Sequence, residues 1–397
     1  MRLKLWLATC QLTSAAAIAG AGLLTSAIPL SAHAGQLANS FGGQAQTQAQ
    51  AQAGAQATWR ENIKQVAPPT TGCFHASYPS MTWARVVCGP EPTNRSARPA
   101  PRRKIVRAED GLSASIPDTA GNGNDYIIKT TSAIISAVGS FPSATGITSE
   151  KGVNNPEYAP DVGITGSNQY TLQLNSNQST SAAACSNFGY ASCTVWEQFV
   201  YSTNNNYDPS APNASGSPAE PQVFIQNWVY PSANDYSNLG CPSGWGDATD
   251  SNGAACYTNS SATTVPAVAA SQLASLKLSG SASVNGNDTV TFTDGTEAYS
   301  ASQPGNTTDL GAWWNSAEFN LVGNGGGSVA TFNKGVSITL KIAVNDGSTA
   351  APKCGGPSIT AANGATGESN NLTLSKTCTA SAGTSTTSPS IQFTESD

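Results

Sequence analysis

The chain has 397 residues and a formal net charge of −6, with 24 Asp and Glu against 18 Lys and Arg. Its two histidines are His33 and His75, so residues 76–397 hold no imidazole. Ser-His-Asp and Cys-His mechanisms and most catalytic zinc sites need an imidazole, which excludes them from that region. Acid–base chemistry there falls to Asp, Glu, Tyr or Lys, and we expect no metal or cofactor.

The amino terminus is typical of a signal peptide. Arg2 and Lys4 precede an apolar run through Leu30, and Ala32-His33-Ala34 has the small-x-small form of a cleavage site. We therefore expect a signal peptide at 1–34. No later segment reaches the roughly 20 apolar residues of a spanning helix. This predicts a protein exported without a membrane anchor, either secreted or soluble in a periplasm.

Eight cysteines follow the signal peptide, an even number that is consistent with disulfides in an oxidising compartment. They lie in four neighbouring pairs: Cys73 and Cys88, Cys185 and Cys193, Cys241 and Cys256, Cys354 and Cys378. Spacing alone leaves the connectivity open, and four local loops are the simplest arrangement. A structural role is expected because no CxxC or histidine accompanies them.

Charge divides the chain into two parts. Residues 35–110 hold nine Lys or Arg against four Asp or Glu, and residues 111–397 hold seven against twenty. Residues 36–57 are rich in Gln and Ala and predict a linker, and Pro99–Arg107 is a plausible cleavage site. We predict a basic propeptide at 35–110 that lies over an acidic domain at 111–397 and is released when carboxylates protonate. The alternative is that both are solvated surfaces.

Short alternating runs separated by turn residues predict strands in the acidic domain. The predicted strands are 126–129, 169–175, 194–202, 222–230, 276–284, 288–294, 316–323, 328–333, 336–344 and 371–376. Only Ala267–Lys277 looks helical. The pattern predicts an all-β fold, a two-sheet antiparallel β-sandwich of jelly-roll or concanavalin-like type, preceded by a loop-rich prosegment. The tail 354–397 supplies either the last strands or an extension. The acidic domain disfavours nucleic acid, and we expect a monomer.

Three strands place polar and aromatic side chains on one face, because side chains alternate along a strand. The strand at 222–230 groups Gln226 with Phe224, Trp228 and Tyr230, as in a cleft floor. The strand at 316–323 sets Glu318 and Asn320 opposite its apolar face. The strand at 194–202 puts Trp196 and Gln198 on one face and Glu197 on the other.

In this order the motifs resemble those of the eqolisins, the secreted glutamic peptidases, and more distantly the plant neprosins. That family has a Trp-containing strand, then apolar-Leu-Gln-x-Gly-Val, a Gly-Asp turn with a Thr-rich strand, and Asn-Ala-Glu-Trp-Ile-Val-Glu. The corresponding segments here are Val195–Gln198, Phe224–Val229, Asn287–Thr293 and Asn315–Val322. The Tyr-x-Trp-Tyr-Pro segment that the family has after its Gln strand is missing here.

The resemblance implies a jelly-roll sandwich that hydrolyses polypeptides, with Gln226 and Glu318 as catalytic residues. Glu318 would act as general base and Gln226 would donate to the oxyanion. The substrate-binding candidates are Trp228, Tyr230, Phe224, Trp196 and Asn320. An unshifted carboxylate titrates near pH 4, which predicts an acid optimum. The prosegment would be the inhibitor.

Two other classes compete with the peptidase. Glu197, Glu297 and Glu318 could supply the carboxyl pair of a glycosidase, although Glu297 is expected in a turn. A non-catalytic binding module could stack sugars or peptides on its tryptophans, which are Trp196, Trp228, Trp313 and Trp314. The remaining hypothesis is a surface protein with a purely structural role.

Overall fold

A computed structural model describes residues 48, 50–92, 120–121, 123–155, 163–205, 220–249, 253–357 and 368–397. The chain divides into two compact units, Met1–Gly54 and Ala55–Asp397. The description below concerns the second unit. The predicted signal peptide at 1–34 and the predicted cleavage site at Pro99–Arg107 lie outside the described residues.

The second unit is built almost entirely of short strands. In chain order they are β1 (Gly72–Ser77), β2 (Ala84–Val86), β3 (Ile127–Lys129), β4 (Ser136–Thr145), β5 (Glu150–Asn154), β6 (Gly166–Ser167), β7 (Tyr170–Ser176), β8 (Cys193–Ser202), β9 (Gln222–Pro231), β10 (Gly246–Asp247), β11 (Cys256–Asn259), β12 (Thr263–Thr264), β13 (Leu276–Ser281), β14 (Asn287–Asp294), β15 (Glu297–Pro304), β16 (Ser316–Gly323), β17 (Ser328–Phe332), β18 (Ser337–Asn345), β19 (Lys353–Gly355), β20 (Ser369–Asn370), β21 (Thr373–Leu374), β22 (Thr379–Ser381) and β23 (Ser390–Ser396). Short helices are Ala182–Asn187 and Ala233–Leu239, and 3-10 turns are Ala270–Ser275, Gly305–Thr307 and Leu310–Ala312.

These strands form two large antiparallel sheets, and the predicted all-β sandwich is confirmed. Sheet I has ten strands, in the order β2-β1-β15-β14-β13-β4-β18-β23-β21 with β22 beside β23. Sheet II has nine, in the order β10-β11-β9-β8-β7-β16-β3-β19 with β12 beside β9. A third, four-stranded sheet has the order β20-β17-β5-β6. The tail from Cys354 supplies β23, which is flanked by β18 and β21 inside sheet I.

The main core lies between sheets I and II, where leucines, isoleucines and aromatic rings of both inner faces pack together. Glycines allow the closest contacts. A Cβ on Gly139 of β4 would lie 2.2 Å from the ring of Phe319, and one on Gly280 of β13 would lie 2.1 Å from that of Phe199. A larger residue at either glycine would push the sheets apart.

Two local predictions are wrong. Glu297, expected in a turn, is the first residue of β15 and pairs with Ser77 and Asp294. Ala267–Lys277, expected to be a helix, contains a 3-10 turn over Ala270–Ser275 and then enters β13. The side chains of Leu276 and Leu278 both lie in the core, so the end of that segment follows the two-residue period of a strand.

The described part of the predicted prosegment belongs to this unit. β1 pairs with β15 along its whole length, from Gly72 opposite Ser302 to Ser77 opposite Glu297. Residues 55–57, predicted as linker, are helical, and that helix ends at residue 63. Its buried side chains pack in one apolar cluster with β1 and β15, formed by Trp59, Ile63, Phe74, Ala76, Trp83 and Ala298. The predicted boundary at 110–111 lies outside the described residues.

All four local disulfides are present: Cys73–Cys88, Cys185–Cys193, Cys241–Cys256 and Cys354–Cys378. Such a set is typical of extracellular proteins. Among the described residues, no helix combines the length and apolar character that a membrane crossing requires.

We expect residues 55–92 to stay bound after a cut between residues 93 and 119, at pH 7 and at pH 4 alike. Backbone pairing and apolar burial hold the segment, and protonation of carboxylates leaves both intact. Limited trypsin digestion followed by size exclusion and a denaturing gel tests this, since no disulfide links the two pieces. Separate elution at pH 4 would instead support release by charge neutralisation.

Candidate functional site

A row of five polar side chains crosses the outer face of sheet II. Glu318 of β16 lies opposite Asn175 of β7, and Asn175 opposite Gln198 of β8. Gln198 lies opposite Gln226 of β9, and Gln226 opposite Asn259 of β11. Directly opposed residues of antiparallel strands point to the same side. All five side chains are buried, and we call them the polar row.

Hydrogen bonds fix the glutamine end of the polar row. Gln198 Nε2 donates to Gln226 Oε1 over 2.6 Å, and Trp228 Nε1 donates to the same oxygen over 2.9 Å. Gln226 Nε2 donates to Asn259 Oδ1 over 2.7 Å. Asn259 Nδ2 in turn donates to the Pro92 carbonyl over 2.7 Å. The Gln226 amide therefore has partners on both its oxygen and its nitrogen.

A loop lies directly over the glutamate end. The backbone N–H groups of Asp125 and Gly123 donate to Glu318 Oε1 and Oε2 over 2.9 and 3.2 Å. Gly121 has φ +61°, and a Cβ there would lie 2.1 Å from Glu318 Oε2 and 2.6 Å from Asn175 Nδ2. Only glycine tolerates both that backbone conformation and that approach. The loop occupies the space above Glu318 and Asn175.

Burial raises the pKa of Glu318 well above its usual range, and the negative charge of Asp125 raises it further. The two backbone donors oppose this shift because they stabilise the ionised carboxylate. In this covered state Glu318 is protonated at acidic pH. The acid optimum expected from an unshifted carboxylate therefore does not follow from this environment.

The two predicted catalytic residues share a face but are not neighbours. β7 and β8 both lie between the strands of Glu318 and Gln226. At a strand spacing of about 4.8 Å, the backbones of β16 and β9 are roughly 14 Å apart. Gln198 is one strand closer, roughly 10 Å from β16 by the same spacing. Alternation within residues 194–202 predicts that Gln198 shares a face with Trp196. It carries no information on the order of the strands in the sheet.

The predicted substrate-binding residues fall into three groups. Trp196 and Trp228 are buried beside Tyr230 and Tyr257, where Trp228 stacks on Tyr230 with centroids 6.0 Å apart and planes 3° apart. Phe224 packs in a separate cluster with Val200 and Ala262. Asn320 belongs to the glutamate end, where it accepts from Asn175 Nδ2 over 2.7 Å and donates to Asp125.

The carboxyls proposed for a glycosidase do not come together. Glu197 lies on the inner face of β8, where Thr308 Oγ1 donates to it over 2.6 Å. Glu297 lies on sheet I and contacts His75 Nε2 and Ser77 Oγ, each over 2.7 Å. Neither shares the outer face of sheet II with Glu318. Within the described residues, no group of three His, Cys, Asp or Glu has the arrangement of a metal site.

Comparison with protein-family models, curated proteins and solved structures finds no match to this chain. The polar row and its surroundings are therefore the basis for a functional assignment.

Proposed function

We propose that this chain is an exported glutamic endopeptidase, in which Glu318 is the general base and Gln198 donates to the oxyanion. The observation that supports it is the polar row, which sets a carboxyl and an amide on one face of one sheet with only Asn175 between them. Four disulfides support export.

The chemistry needs no imidazole. Ionised Glu318 takes a proton from the water that attacks a peptide carbonyl. The amide of Gln198 donates a hydrogen bond to the carbonyl oxygen as it gains charge. Glu318 then gives its proton to the leaving amine, which returns the carboxylate to its starting state. No cofactor takes part in this scheme.

Assigning the amide role to Gln198 instead of Gln226 also changes how the chain resembles the eqolisins. If β8 is the counterpart of the family's Gln strand, the next strand supplies Trp228-Val229-Tyr230-Pro231. Its Tyr230-Pro231 matches the end of the Tyr-x-Trp-Tyr-Pro that follows the Gln strand in that family, with Trp228 one position before the family's Trp. β7 then takes the place of the family's Trp-containing strand, although it has no Trp.

We further propose that the described state is latent, with the amino-terminal segment as inhibitor. Glu318 and Gln198 are fully buried, so a polypeptide reaches them only after covering residues other than Asp125, whose N–H holds Glu318, move away. Gly89–Pro92 crosses the far end of the polar row: Gly89 N donates to the Ala262 carbonyl over 2.8 Å, and the Pro92 carbonyl accepts from Asn259. Cleavage after residue 92 would free Gly89–Pro92 to leave the polar row, while the rest of the segment stays bound through β1.

The test is proteolysis of denatured casein between pH 3 and 8 by the exported chain, before and after limited trypsin cleavage. We expect peptide release by the wild type and loss of at least about 10³-fold in Glu318→Gln, because the amide cannot accept the proton. Glu297→Gln is the matched control, since it changes a carboxyl on the other sheet.

Two results would contradict the proposal. Proteolysis retained in Glu318→Gln would remove Glu318 from the chemistry. A wild type that stays inert after cleavage, yet binds peptide or sugar with quenching of tryptophan fluorescence, would favour the binding module. The Trp228–Tyr230 stack is the observation behind that second candidate.

A further inference from the structure

Three buried carboxyls from three different elements meet at the glutamate end of the polar row. Glu318 comes from β16, Asp125 from the loop that precedes β3, and Glu395 from β23 of sheet I. Each is at most 4% exposed. The proposed mechanism uses Glu318 alone, so the other two carboxyls need a separate explanation.

Two side-chain hydrogen bonds end on the carboxyl of Asp125. Asn320 Nδ2 donates to Asp125 Oδ2 and is itself held by Asn175, which donates to Asn320 Oδ1. The Glu395 carboxyl forms a second side-chain hydrogen bond with Asp125, which favours the ionised form of Asp125 and the protonated form of Glu395. Asn370 Nδ2 donates to Glu395 Oε2 over 3.0 Å.

This arrangement fixes the order in which the three groups ionise. Burial raises the pKa of all three. Both side-chain hydrogen bonds of Asp125 lower its pKa, whereas Asp125 itself raises the pKa of Glu318 and of Glu395, so Asp125 loses its proton first. Its charge then opposes ionisation of Glu318 and of Glu395, which are the titratable groups that face it. The next carboxyl, Glu368, is bound by Gln173 Nε2 over 2.8 Å.

We infer that Asp125 is a positioning residue for Glu318: its backbone N–H orients the carboxyl, and its side chain sets the pH above which Glu318 accepts a proton from water. Protonated Glu395 donates a hydrogen bond to the Asp125 carboxylate, which keeps the charge on Asp125. This inference rests on the proposed function, because it assigns a role within the same reaction.

Two isosteric variants separate this role from a merely structural one. Asp125→Asn removes the charge but keeps the backbone N–H and the shape, so Glu318 should ionise about one pH unit lower. Glu395→Gln keeps a donor to Asp125, so Asp125 stays charged and Glu318 should not ionise at lower pH. Asp125→Ser also removes the charge and serves if Asp125→Asn does not fold.

The measurement is an infrared titration of the carboxyl stretch, in which the difference from the same protein carrying Glu318→Gln isolates Glu318. The acid limb of kcat for casein hydrolysis is followed in parallel. We expect both to move to lower pH in Asp125→Asn and neither to do so in Glu395→Gln.

An unmoved Glu318 signal in folded Asp125→Asn would overturn the inference, as would an equal downward shift in Glu395→Gln. The infrared readout does not depend on turnover. If the wild type hydrolyses no peptide, the proposed function fails while the titration still decides the role of Asp125.

Discussion

Replacing Gln198 with alanine is expected to lower kcat for casein by about 10²- to 10³-fold, the loss found when one oxyanion donor is removed. Replacing Gln226 with alanine is expected to cost about tenfold or less. The difference follows from position: one strand separates β8 from β16, whereas two separate β9 from β16. Gln226 acts on Gln198, because its Oε1 accepts a hydrogen bond from Gln198 Nε2 over 2.6 Å.

Gln173→Ala is the matched control for these two variants. Gln173 is also a buried glutamine on the outer face of sheet II, but it donates to Glu368 and stands outside the polar row. The activity lost in Gln173→Ala therefore measures the effect of removing a buried amide that does not belong to the polar row. Initial rates at several casein concentrations separate kcat from KM. A larger loss in Gln226→Ala than in Gln198→Ala would return the oxyanion role to Gln226.

Strands in which apolar and polar residues alternate regularly could be predicted from the sequence. Strands that contain turn-like residues or lie in a Ser- and Thr-rich segment could not. β7, β8, β9 and β16 combine apolar or aromatic residues with regular alternation. β4 was missed because Gly139 and Pro142 resemble turn residues, although Gly139 is required by the approach of Phe319. β23 was hidden in a Ser- and Thr-rich tail, where Ile391 and Phe393 nevertheless reach the core.

The candidate site was predictable as a face but not as a set of neighbours. Alternation is a local property, so it could place Glu318 opposite an apolar face, Gln198 on the face of Trp196 and Gln226 on the face of Trp228. Which of these faces meet depends on strand order, which arises from long-range pairing. β16 lies beside β7, and Asn175 and Asn320, which are in contact there, are 145 residues apart in the chain. No local signal marks that neighbour.

The inner faces of the two sheets hold a second pair of carboxyls, with consequences for stability. Glu197 of β8 meets Asp288 of β14, beside the reciprocal amide pair of Asn227 and Gln303. Burial raises the pKa of Asp288 to about 7, and burial with the charge of Asp288 raises that of Glu197 well above its usual range. Both groups favour their protonated forms in the folded state.

The sign of the pH dependence follows from these shifts. An acid whose pKa is raised by folding binds its proton more tightly in the folded state. Its contribution is complete below the unfolded value of about 4 and is lost as pH rises through the folded value. For Asp288 the loss falls between about pH 4 and pH 7. Glu197 extends the loss to higher pH.

We therefore expect the Tm and the urea midpoint to be highest near pH 4 and to fall steadily toward pH 8. In Asp288→Asn the fall between pH 4 and 7 should be shallower, because one of the two titrations is gone while the amide keeps the shape. Asp346→Asn, in the turn after β18, is the control that leaves the sheet interior untouched. A wild-type Tm that rises from pH 4 to 8 would show that the pair is not protonated in the folded protein. Glu318 ionises only above its raised pKa. The same measurements therefore give the pH range in which the chain is folded and Glu318 can accept a proton.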